Sequence, residues 1–220
     1  MSLQLPGAIL QRVHAELLAA YGPQDWWPAE TDFEVMVGAI LTQNTAWSNV
    51  EKAIANLRQA DLLDPQRLAF MEPGELAQII RPAGYYSVKA KRLQAFCRFY
   101  QERGDAKLRA LATEPLRQAL LAVHGVGPET ADDMLLYAFA RPVFVIDTYT
   151  RRLLSRLGLC SGKEPYEVLR LAMEQALPAD VALYNSYHAL IVQHAKAYCR
   201  KQPACAGCRL LALCPQAIGP

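Results

Sequence analysis

The chain has 220 residues, of which 52% are hydrophobic and 20% charged, and its formal net charge at pH 7 is +2. This composition is ordinary for a globular protein and excludes a disordered tail, a collagen-like repeat and a low-complexity scaffold. The longest apolar runs fall far short of the roughly 18 residues that cross a bilayer, and the first residues lack the pattern of a signal peptide. We therefore expect a cytoplasmic protein with no membrane partner.

The charge is unevenly distributed along the chain. Residues 1–86 carry 5 basic and 10 acidic side chains, residues 87–110 carry 7 and 2, and residues 111–220 carry 11 and 9. A basic middle segment permits contact with a polyanion but does not require it, because charged runs are usually solvated faces.

Apolar residues recur at helical spacing along the whole chain. In residues 6–20, Ile9, Val13 and Leu17 share one stripe, which predicts an amphipathic helix. Further helices are predicted at 32–41, 45–57, 65–71, 73–80, 87–103, 114–122, 128–139, 148–157, 164–176 and 183–198. The β-branched run at 143–146 is too short and too solitary to found a sheet. The predicted fold class is therefore all-α.

A turn at residues 124–128 separates two predicted helices. Gly125 and Gly127 flank Val126, and Pro128 opens the second helix. Glycine allows backbone conformations closed to other residues, and proline at the first helical position needs no amide partner. The turn thus exposes N–H groups at a helix N-terminus, which suits a DNA phosphate. The alternative interpretation is a plain corner between two helices.

Asp147 lies twenty residues beyond Gly127 and directly precedes another predicted helix. Taken alone, it is an N-cap, because aspartate is favoured at that position. A carboxylate at a helix start can also stabilise a cationic transition state or activate water, as in glycoside hydrolysis. Together with the upstream turn and the downstream cysteines, Asp147 is the candidate catalytic residue.

Four of the six cysteines lie within sixteen residues near the end of the chain. They are Cys199, Cys205, Cys208 and Cys214, in the pattern C-x5-C-x2-C-x5-C. A reducing compartment argues against disulfides and favours a metal. Four thiolates suit either tetrahedral zinc or a [4Fe-4S] cluster. Zinc sites usually contain two C-x2-C pairs and this segment contains one, so the spacing favours iron and sulfur over zinc.

The order of these elements resembles the helix-hairpin-helix DNA glycosylases, and within them the endonuclease III branch, over nearly the whole chain. The resemblance implies a two-lobed fold, with a six-helix barrel at 25–141 and a [4Fe-4S] cluster domain formed by 1–24 and 142–220. It also implies that the partner is double-stranded DNA containing a damaged base and that the protein is nucleoid-associated. We expect a monomer, since the enzyme acts on one lesion at a time.

The resemblance also assigns roles to residues. The DNA-contacting residues that it implies are Gln43, Tyr85, Gly125, Val126, Gly127, Arg200 and Lys201. Gln43 and Tyr85 would fill the gap and wedge the strands when a nucleotide is flipped, and Asp147 would carry the chemistry. One departure from the family is the first cysteine spacing, which has five intervening residues here where the family usually has six. We still expect the cluster, in a loop of slightly altered geometry.

Glu129 is a second departure from that family. Bifunctional members carry a lysine two positions past the second glycine of the hairpin, and this lysine attacks the sugar as a Schiff-base nucleophile. Here the position is Glu129, and a glutamate cannot form that imine. The expected enzyme is therefore monofunctional: it removes the base with water and leaves an abasic site.

All three tryptophans lie within residues 26–47. Aromatic faces stack on a flipped base, and a cationic base gains a further cation–π attraction of roughly 0.5 to 2 kcal/mol. The W-W-P segment, the aromatic residue after the Gln43 turn and Glu129 together resemble the 3-methyladenine glycosylase subgroup of the branch. The pocket residues that this resemblance implies are Trp26, Trp27, Pro28, Trp47, Glu129 and Lys196.

Three alternatives remain open. A bifunctional glycosylase and AP lyase for oxidised pyrimidines has the same fold but needs an amine where Glu129 stands. A mismatch adenine or uracil glycosylase is compatible with the loosely defined pocket. From a different class, the chain could be a non-catalytic iron–sulfur module that binds DNA or senses redox state.

Overall fold

A computed structural model of the protein describes residues 3–217. Within that range, the regular secondary structure is helical and includes no strand, which confirms the all-α class. The α-helices are α1 (Gly7–Tyr21), α2 (Asp32–Leu41), α3 (Trp47–Gln59), α4 (Pro65–Phe70), α5 (Pro73–Ile79), α6 (Tyr86–Arg103), α7 (Asp105–Ala110), α8 (Thr113–Leu121), α9 (Pro128–Tyr137), α10 (Thr148–Arg156), α11 (Tyr166–Ala176) and α12 (Val181–Ala197). Short 3₁₀ helices lie at Arg81–Ala83 and Leu211–Leu213. Among the described residues, none of the helices has the length and apolar character to cross a membrane.

The chain divides into two compact units. One unit contains residues 27–141, and the other contains the described parts of 1–26 and 142–220. The expected domains were 25–141 and 1–24 with 142–220, of which residues 1–2 and 218–220 lie outside the described range. Their assignment as a six-helix barrel and a cluster domain stays a prediction.

In the unit of residues 27–141, α2 is the central helix. Its side chains are buried from Glu34 to Leu41, and it packs against α3, α6 and α9. The helix begins where the Thr31 hydroxyl accepts a hydrogen bond from the Glu34 amide, at 3.1 Å, as a threonine N-cap does. The C-terminal end of α2 therefore delivers the Gln43 turn from a rigid, buried helix.

The second rigid part of this unit is the pair α8 and α9, which flanks the predicted hairpin. Arg117 in α8 and Asp132 in α9 form a buried ion pair, with Nε and Oδ1 2.6 Å apart and a second contact at 3.2 Å. A bidentate guanidinium–carboxylate pair fixes the orientation of the two planar groups. The hairpin turn is thus held between two helices of defined orientation.

The other unit is built around α12, which packs against α1 and α10. The buried stripe of α1 consists of Leu10, Val13 and Leu17. The predicted stripe used Ile9 in place of Leu10, and this was wrong, because Ile9 is 40% exposed. Both spacings are helical, so only the position of α12 decides which of the two neighbours is buried.

The sequence did not predict α7. Gly104, with φ of +79°, ends α6 in a conformation that favours glycine. The six residues of α7 that follow are too few to show a periodic pattern. Residues 143–146 are buried and form no strand within the described part of the chain, in agreement with the prediction.

Candidate functional site

Gln43 and the hairpin are joined by hydrogen bonds within the unit of residues 27–141. The Gln43 amide Nε2 donates to the carbonyl oxygen of Gly125, at 3.0 Å, and to the hydroxyl of Thr130, at 2.9 Å. Arg92 donates in turn to the Gln43 side-chain oxygen, at 2.5 Å. The structure therefore brings two predicted DNA-contacting elements together.

The two hairpin glycines have different roles. Gly125 has φ of +86°, and the aliphatic part of Arg92 fills the space that a Cβ would need. Gly127 is the N-cap of α9 in ordinary extended backbone, and a Cβ there would meet open space. Gly127 has no side chain that could accept hydrogen bonds from the backbone N–H groups in the first turn of α9. A phosphate could therefore approach these N–H groups where a side chain at position 127 would otherwise lie. Val126 between them is buried and anchors the turn.

Tyr85 is presented to solvent in a strained backbone conformation. It lies in the left-handed region, with φ of +47°, directly before α6, and it is 72% exposed. Left-handed backbone costs a non-glycine residue roughly 1 to 2 kcal/mol, and such strain concentrates at functional sites. Its geometry thus suits an exposed aromatic group that acts on a partner.

Lys89 connects the Tyr85 loop to the end of α2. Its side chain is 1% exposed, and Nζ donates to the carbonyl oxygens of Leu41, at 2.7 Å, and Ala83, at 2.8 Å. Burial, followed by the charge of Arg92, lowers the pKa of Lys89 to about 8. The sequence did not predict these buried bonds of Lys89. The available signal was its place on the buried stripe of α6 with Leu93.

Asp147 caps α10 and lies beside a histidine that sequence reasoning left without a role. One carboxylate oxygen accepts from the amide of Thr150, at 2.7 Å, and the other lies 3.7 Å from Nε2 of His188. Burial alone would raise the pKa of Asp147, whose side chain is 13% exposed, but the contacts with His188 and Thr150 more than offset it, so the pKa is lowered. The group is an anion held at a helix start.

Two predicted pocket residues, Trp26 and Lys196, meet in the unit that contains Asp147. The Lys196 ammonium lies over the Trp26 ring, 5.7 Å from its centroid. This distance is within the range of a cation–π contact. The pairing places a cation against the first of the clustered tryptophans.

Three other predicted pocket residues, Trp27, Pro28 and Trp47, line one cavity of about 130 Å³ in the unit of residues 27–141. The Trp27 and Trp47 rings are perpendicular, with centroids 5.0 Å apart. Glu34, Glu51 and Arg58 also reach this cavity, and Glu51 accepts from the Trp47 indole N–H, at 2.9 Å. Glu129 lies instead in the exposed first turn of α9 and is not among the residues that line this cavity.

The four clustered cysteines line a single small cavity of about 30 Å³. Burial raises the pKa of the Cys208 thiol, and the charges of the other three cysteines add to the rise. When several thiols lie close together, the negative charge of each thiolate disfavours ionisation of the others. A bound metal cation offsets this repulsion and stabilises the thiolates, because the thiols lose their protons when they bind it. Among the described residues, no group of three His, Cys, Asp or Glu side chains closes around a single metal ion. The donor set itself fits a group bound by four thiolates.

Basic residues of α10 hold the cysteine segment in place. The Arg156 guanidinium donates to Cys199 Sγ, at 3.3 Å, and to the carbonyl oxygens of Arg200, at 2.7 Å, and Lys201, at 3.0 Å. Arg152 donates to the carbonyl oxygen of Cys199, at 2.7 Å. These bonds use the main chain of Arg200 and Lys201, and both residues are exposed.

The chain belongs to the HhH-GPD superfamily of base excision DNA repair proteins, whose family model matches residues 37–179. That range contains the Gln43 turn, the Tyr85 loop, the hairpin and Asp147. The protein is thus a DNA repair glycosylase, an enzyme that acts on N-glycosyl bonds and binds DNA.

Individual relatives agree with this family. A protein of Methanocaldococcus jannaschii named as a DNA repair glycosylase is 46% identical over 210 residues, which are 94% of this chain and 96% of that protein. Endonuclease III of Thermotoga maritima is 32% identical over 183 residues, 82% of each chain. These relatives confirm the resemblance drawn from the sequence.

Solved structures with the same fold include two related enzymes. The H. pylori 3-methyladenine DNA glycosylase MagIII, bound to 1,N6-ethenoadenine, is 30% identical, with a TM-score of 0.74 over 87% of this chain and 97% of that one. A non-covalent endonuclease III–DNA complex has a TM-score of 0.83 over 97% of each chain, at 22% identity. The second likeness, at this identity, shows the fold alone.

Proposed function

We propose that the protein is a monofunctional glycosylase that hydrolyses the bond between deoxyribose and an alkylated purine, such as 3-methyladenine, in double-stranded DNA. The observation that carries the proposal is Glu129, in the first turn of α9. A carboxylate at this hairpin position cannot form the imine of a lyase. Water is then the nucleophile, and the product is an abasic site. We expect the enzyme to act as a monomer.

Asp147 would carry the hydrolytic step. As the glycosidic bond breaks, positive charge develops on the sugar, and a fixed carboxylate stabilises it and can position the attacking water. The N-cap bond to Thr150 holds one oxygen of Asp147. A cationic alkylated base is already a good leaving group, so this mechanism needs no strong general acid.

The aromatic cavity supports a cationic base as substrate. Trp27 and Trp47 offer ring faces, which attract a cation through their quadrupoles. Glu34, Glu51 and Arg58 also line this cavity, and Arg58 pairs with Glu34, at 2.8 Å. Glu51 is therefore the carboxylate whose charge would favour a cation over a neutral base of the same shape. The likeness to an enzyme named 3-methyladenine DNA glycosylase supports the same substrate class.

The DNA contacts would come from the hairpin and two loops. The α9 amides would hold a phosphate, Gln43 and Tyr85 would fill the space left by the flipped nucleotide, and exposed Arg200 and Lys201 would meet further phosphates. Lys196 and Trp26 would lie beside the lesion, as the 3-methyladenine subgroup implies. These assignments rest on the resemblance and, for Tyr85, Lys196, Arg200 and Lys201, on the exposure of the side chains.

Cys199, Cys205, Cys208 and Cys214 would hold a [4Fe-4S] cluster, with zinc as the alternative. Such a cluster would fix the geometry of the segment from Cys199 to Cys214 and could exchange one electron. The support is the convergence of four thiols on one cavity. Brown protein that absorbs near about 400 nm and contains iron and sulfide would support iron and sulfur, whereas colourless protein with bound zinc would support zinc.

The second candidate function is a bifunctional glycosylase and AP lyase, which is favoured by the 32% identity to endonuclease III. End-labelled duplexes that contain 3-methyladenine, thymine glycol or uracil distinguish the candidates when each reaction is analysed with and without hot alkali. Cleavage of the alkylated duplex only after alkali supports the proposal. Cleavage of thymine glycol without alkali, or trapping of the protein on DNA by borohydride, would overturn it.

Matched variants make this experiment sharper. Asp147→Asn keeps an N-cap acceptor for α10, since asparagine also caps helices well, but it removes the negative charge. We expect excision to fall by at least about 100-fold while DNA affinity persists. Glu129→Lys supplies an amine at the hairpin position, and borohydride trapping by this variant alone would show that Glu129 determines the absence of lyase activity.

A further inference from the structure

His194 lies between a tyrosine of α1 and one of the clustered cysteines. Its Nδ1 is 2.9 Å from the Tyr21 hydroxyl, and its Nε2 is 3.6 Å from Cys208 Sγ. The imidazole is buried and stacks on the Tyr198 ring, with centroids 5.8 Å apart and an interplanar angle of 24°. These three contacts fix both the position of the ring and the direction in which each nitrogen points.

The hydrogen-bond roles along this chain follow from the state of the sulfur. A cysteine that binds a metal has lost its proton, so its sulfur can only accept a hydrogen bond. Nε2 of His194 must then carry the hydrogen, and Nδ1 of the neutral ring becomes the acceptor. The Tyr21 hydroxyl therefore donates to Nδ1 and selects the tautomer that faces Cys208.

We propose that Tyr21 and His194 are positioning residues that raise the reduction potential of a cluster held by Cys208 and the other three cysteines. The inference rests on the cluster assignment made under Proposed function. A hydrogen bond to a ligating sulfur stabilises the more negative, reduced state of a cluster. His194 supplies such a bond directly, and Tyr21 acts by keeping the hydrogen of His194 on Nε2.

Arg156 makes a similar contact with another of the four sulfurs, since its guanidinium donates to Cys199 Sγ at 3.3 Å. Unlike His194, Arg156 also binds the main chain of the cysteine segment, so its removal would disturb the loop. Variants of Tyr21 and His194 therefore test the effect of a hydrogen bond to sulfur more cleanly than variants of Arg156. The hydrogen bond between Tyr21 and His194 also connects the end of α1 to a site more than 170 residues further along the chain.

The experiment uses purified, full-length protein that contains the cluster, with iron and sulfide assayed first and the midpoint potential then measured by voltammetry. His194→Leu removes the N–H donor, and we expect a lower midpoint potential. At the wild-type midpoint, a tenfold fall in the ratio of reduced to oxidised cluster corresponds to a shift of about 59 mV. His194→Gln, whose side-chain amide can reach the place of Nε2, should restore most of the shift.

Tyr21→Phe keeps the ring and removes only the hydroxyl. We expect the midpoint potential to fall by less than in His194→Leu. Without the Tyr21 hydroxyl, the ring hydrogen of His194 can lie on Nδ1 for part of the time and then makes no bond to Cys208. The matched control is His14→Leu in the same helix as Tyr21, since His14 bonds Ser186, at 3.2 Å, and its loss should leave the potential unchanged. If His194→Leu does not retain iron, the midpoint potential of Tyr21→Phe is compared with that of the wild type instead.

The outcomes separate the two proposals. Wild-type protein without iron and sulfide would overturn the cluster assignment and this inference with it. Full cluster content with an unchanged potential in both His194→Leu and Tyr21→Phe would overturn the inference and leave the cluster assignment standing. An equal shift in His14→Leu would also overturn it, because the effect would then reflect general loosening of the unit.

Discussion

His188 places its Nε2 atom 3.7 Å from the carboxylate oxygen of Asp147 that does not cap α10. The two residues are 41 positions apart in the sequence, and the fold of one unit brings α12 against the start of α10. The proposed catalytic carboxylate therefore has a defined partner on each oxygen. This arrangement predicts how the activity depends on pH.

The first prediction concerns the acidic limb of the excision rate. Contacts with His188 and Thr150 outweigh burial and hold the pKa of Asp147 below its ordinary value of 3.8. His188→Leu removes one contact and leaves the burial, so the pKa should rise. The acidic limb of single-turnover excision should move to higher pH, whereas the rate near neutrality should change less.

The free energy of unfolding should also depend on the ionisation of Asp147. Because the pKa of Asp147 is lower in the folded state, its ionisation stabilises the fold above pH 3.8 and this contribution disappears as the pH falls below that value. His188→Gln, which can retain an N–H donor, should keep the acidic limb close to that of the wild type. A His188→Leu profile that coincides with the wild type would show that His188 does not act on Asp147.

The second prediction concerns Lys89. Lys89→Met removes a buried cation together with its bonds to the carbonyl oxygens of Leu41 and Ala83. Loss of a partner for buried carbonyls costs about 1 to 3 kcal/mol. At pH 7 the variant also loses the desolvation cost of the cation, so the urea midpoint should fall most near pH 10.5, where the Lys89 amine is neutral. DNA affinity should fall as well, since Lys89 ties the end of α2 to the Tyr85 loop.

The pH dependence of stability tests the same residue. The pKa of Lys89 is lowered from 10.5 to about 8 in the fold, so the unfolded chain binds more protons between these values. The free energy of unfolding should therefore rise with pH from about 8 to 10.5, with a slope of at most about 1.4 kcal/mol per pH unit. Lys89→Met should reduce that slope, and Lys91→Met, at an exposed position, is the matched control.

The third prediction concerns Tyr85, where function and stability should separate. Tyr85→Gly relieves a left-handed backbone conformation, so the free energy of unfolding should stay constant or increase by up to about 1 kcal/mol. Base flipping, followed by the fluorescence of 2-aminopurine next to the lesion, should weaken because the exposed ring is gone. Tyr85→Phe should retain both properties. Wild-type flipping by Tyr85→Gly would exclude a wedging role.

The fourth prediction concerns the buried ion pair between α8 and α9. Arg117→Met or Asp132→Leu alone leaves one charge without its main partner, and each should lower the free energy of unfolding by about 3 to 5 kcal/mol. The double variant should recover a large part of that loss, because two apolar groups then replace two charges. Urea unfolding of the four proteins measures the coupling. Strict additivity of the two losses would contradict a direct pair.

Local patterns in the sequence predict the helices better than they predict the partners of side chains. Period and capping signals are local, so the starts of α2, α4 and α9 could be read from Thr31, Asp64 and Pro128. The choice of Leu10 over Ile9 for burial depends on α12, which follows far along the chain, and no local pattern contains it. The short helix α7 had too few residues to show a period.

The same limit applies to the candidate site. The positions of Gln43, Gly125 and Asp147 follow from motifs. The contact of Lys89 with Leu41 and that of His188 with Asp147 instead join segments more than 40 residues apart in the sequence. Each of these two residues lies on an apolar helix stripe, where a polar side chain needs a partner. That observation could have singled them out, but the identity of the partner required the fold.

The packing of α1 against α12 has a consequence for synthesis on the ribosome. Residues 27–141 form a compact unit and can fold as soon as they emerge. The buried stripe of α1 must wait until α12 is made, about 160 residues later, which takes about 10 to 30 s at typical elongation rates. For that interval Leu10, Val13 and Leu17 have no native partner helix, so α1 is the segment that a nascent-chain chaperone would protect.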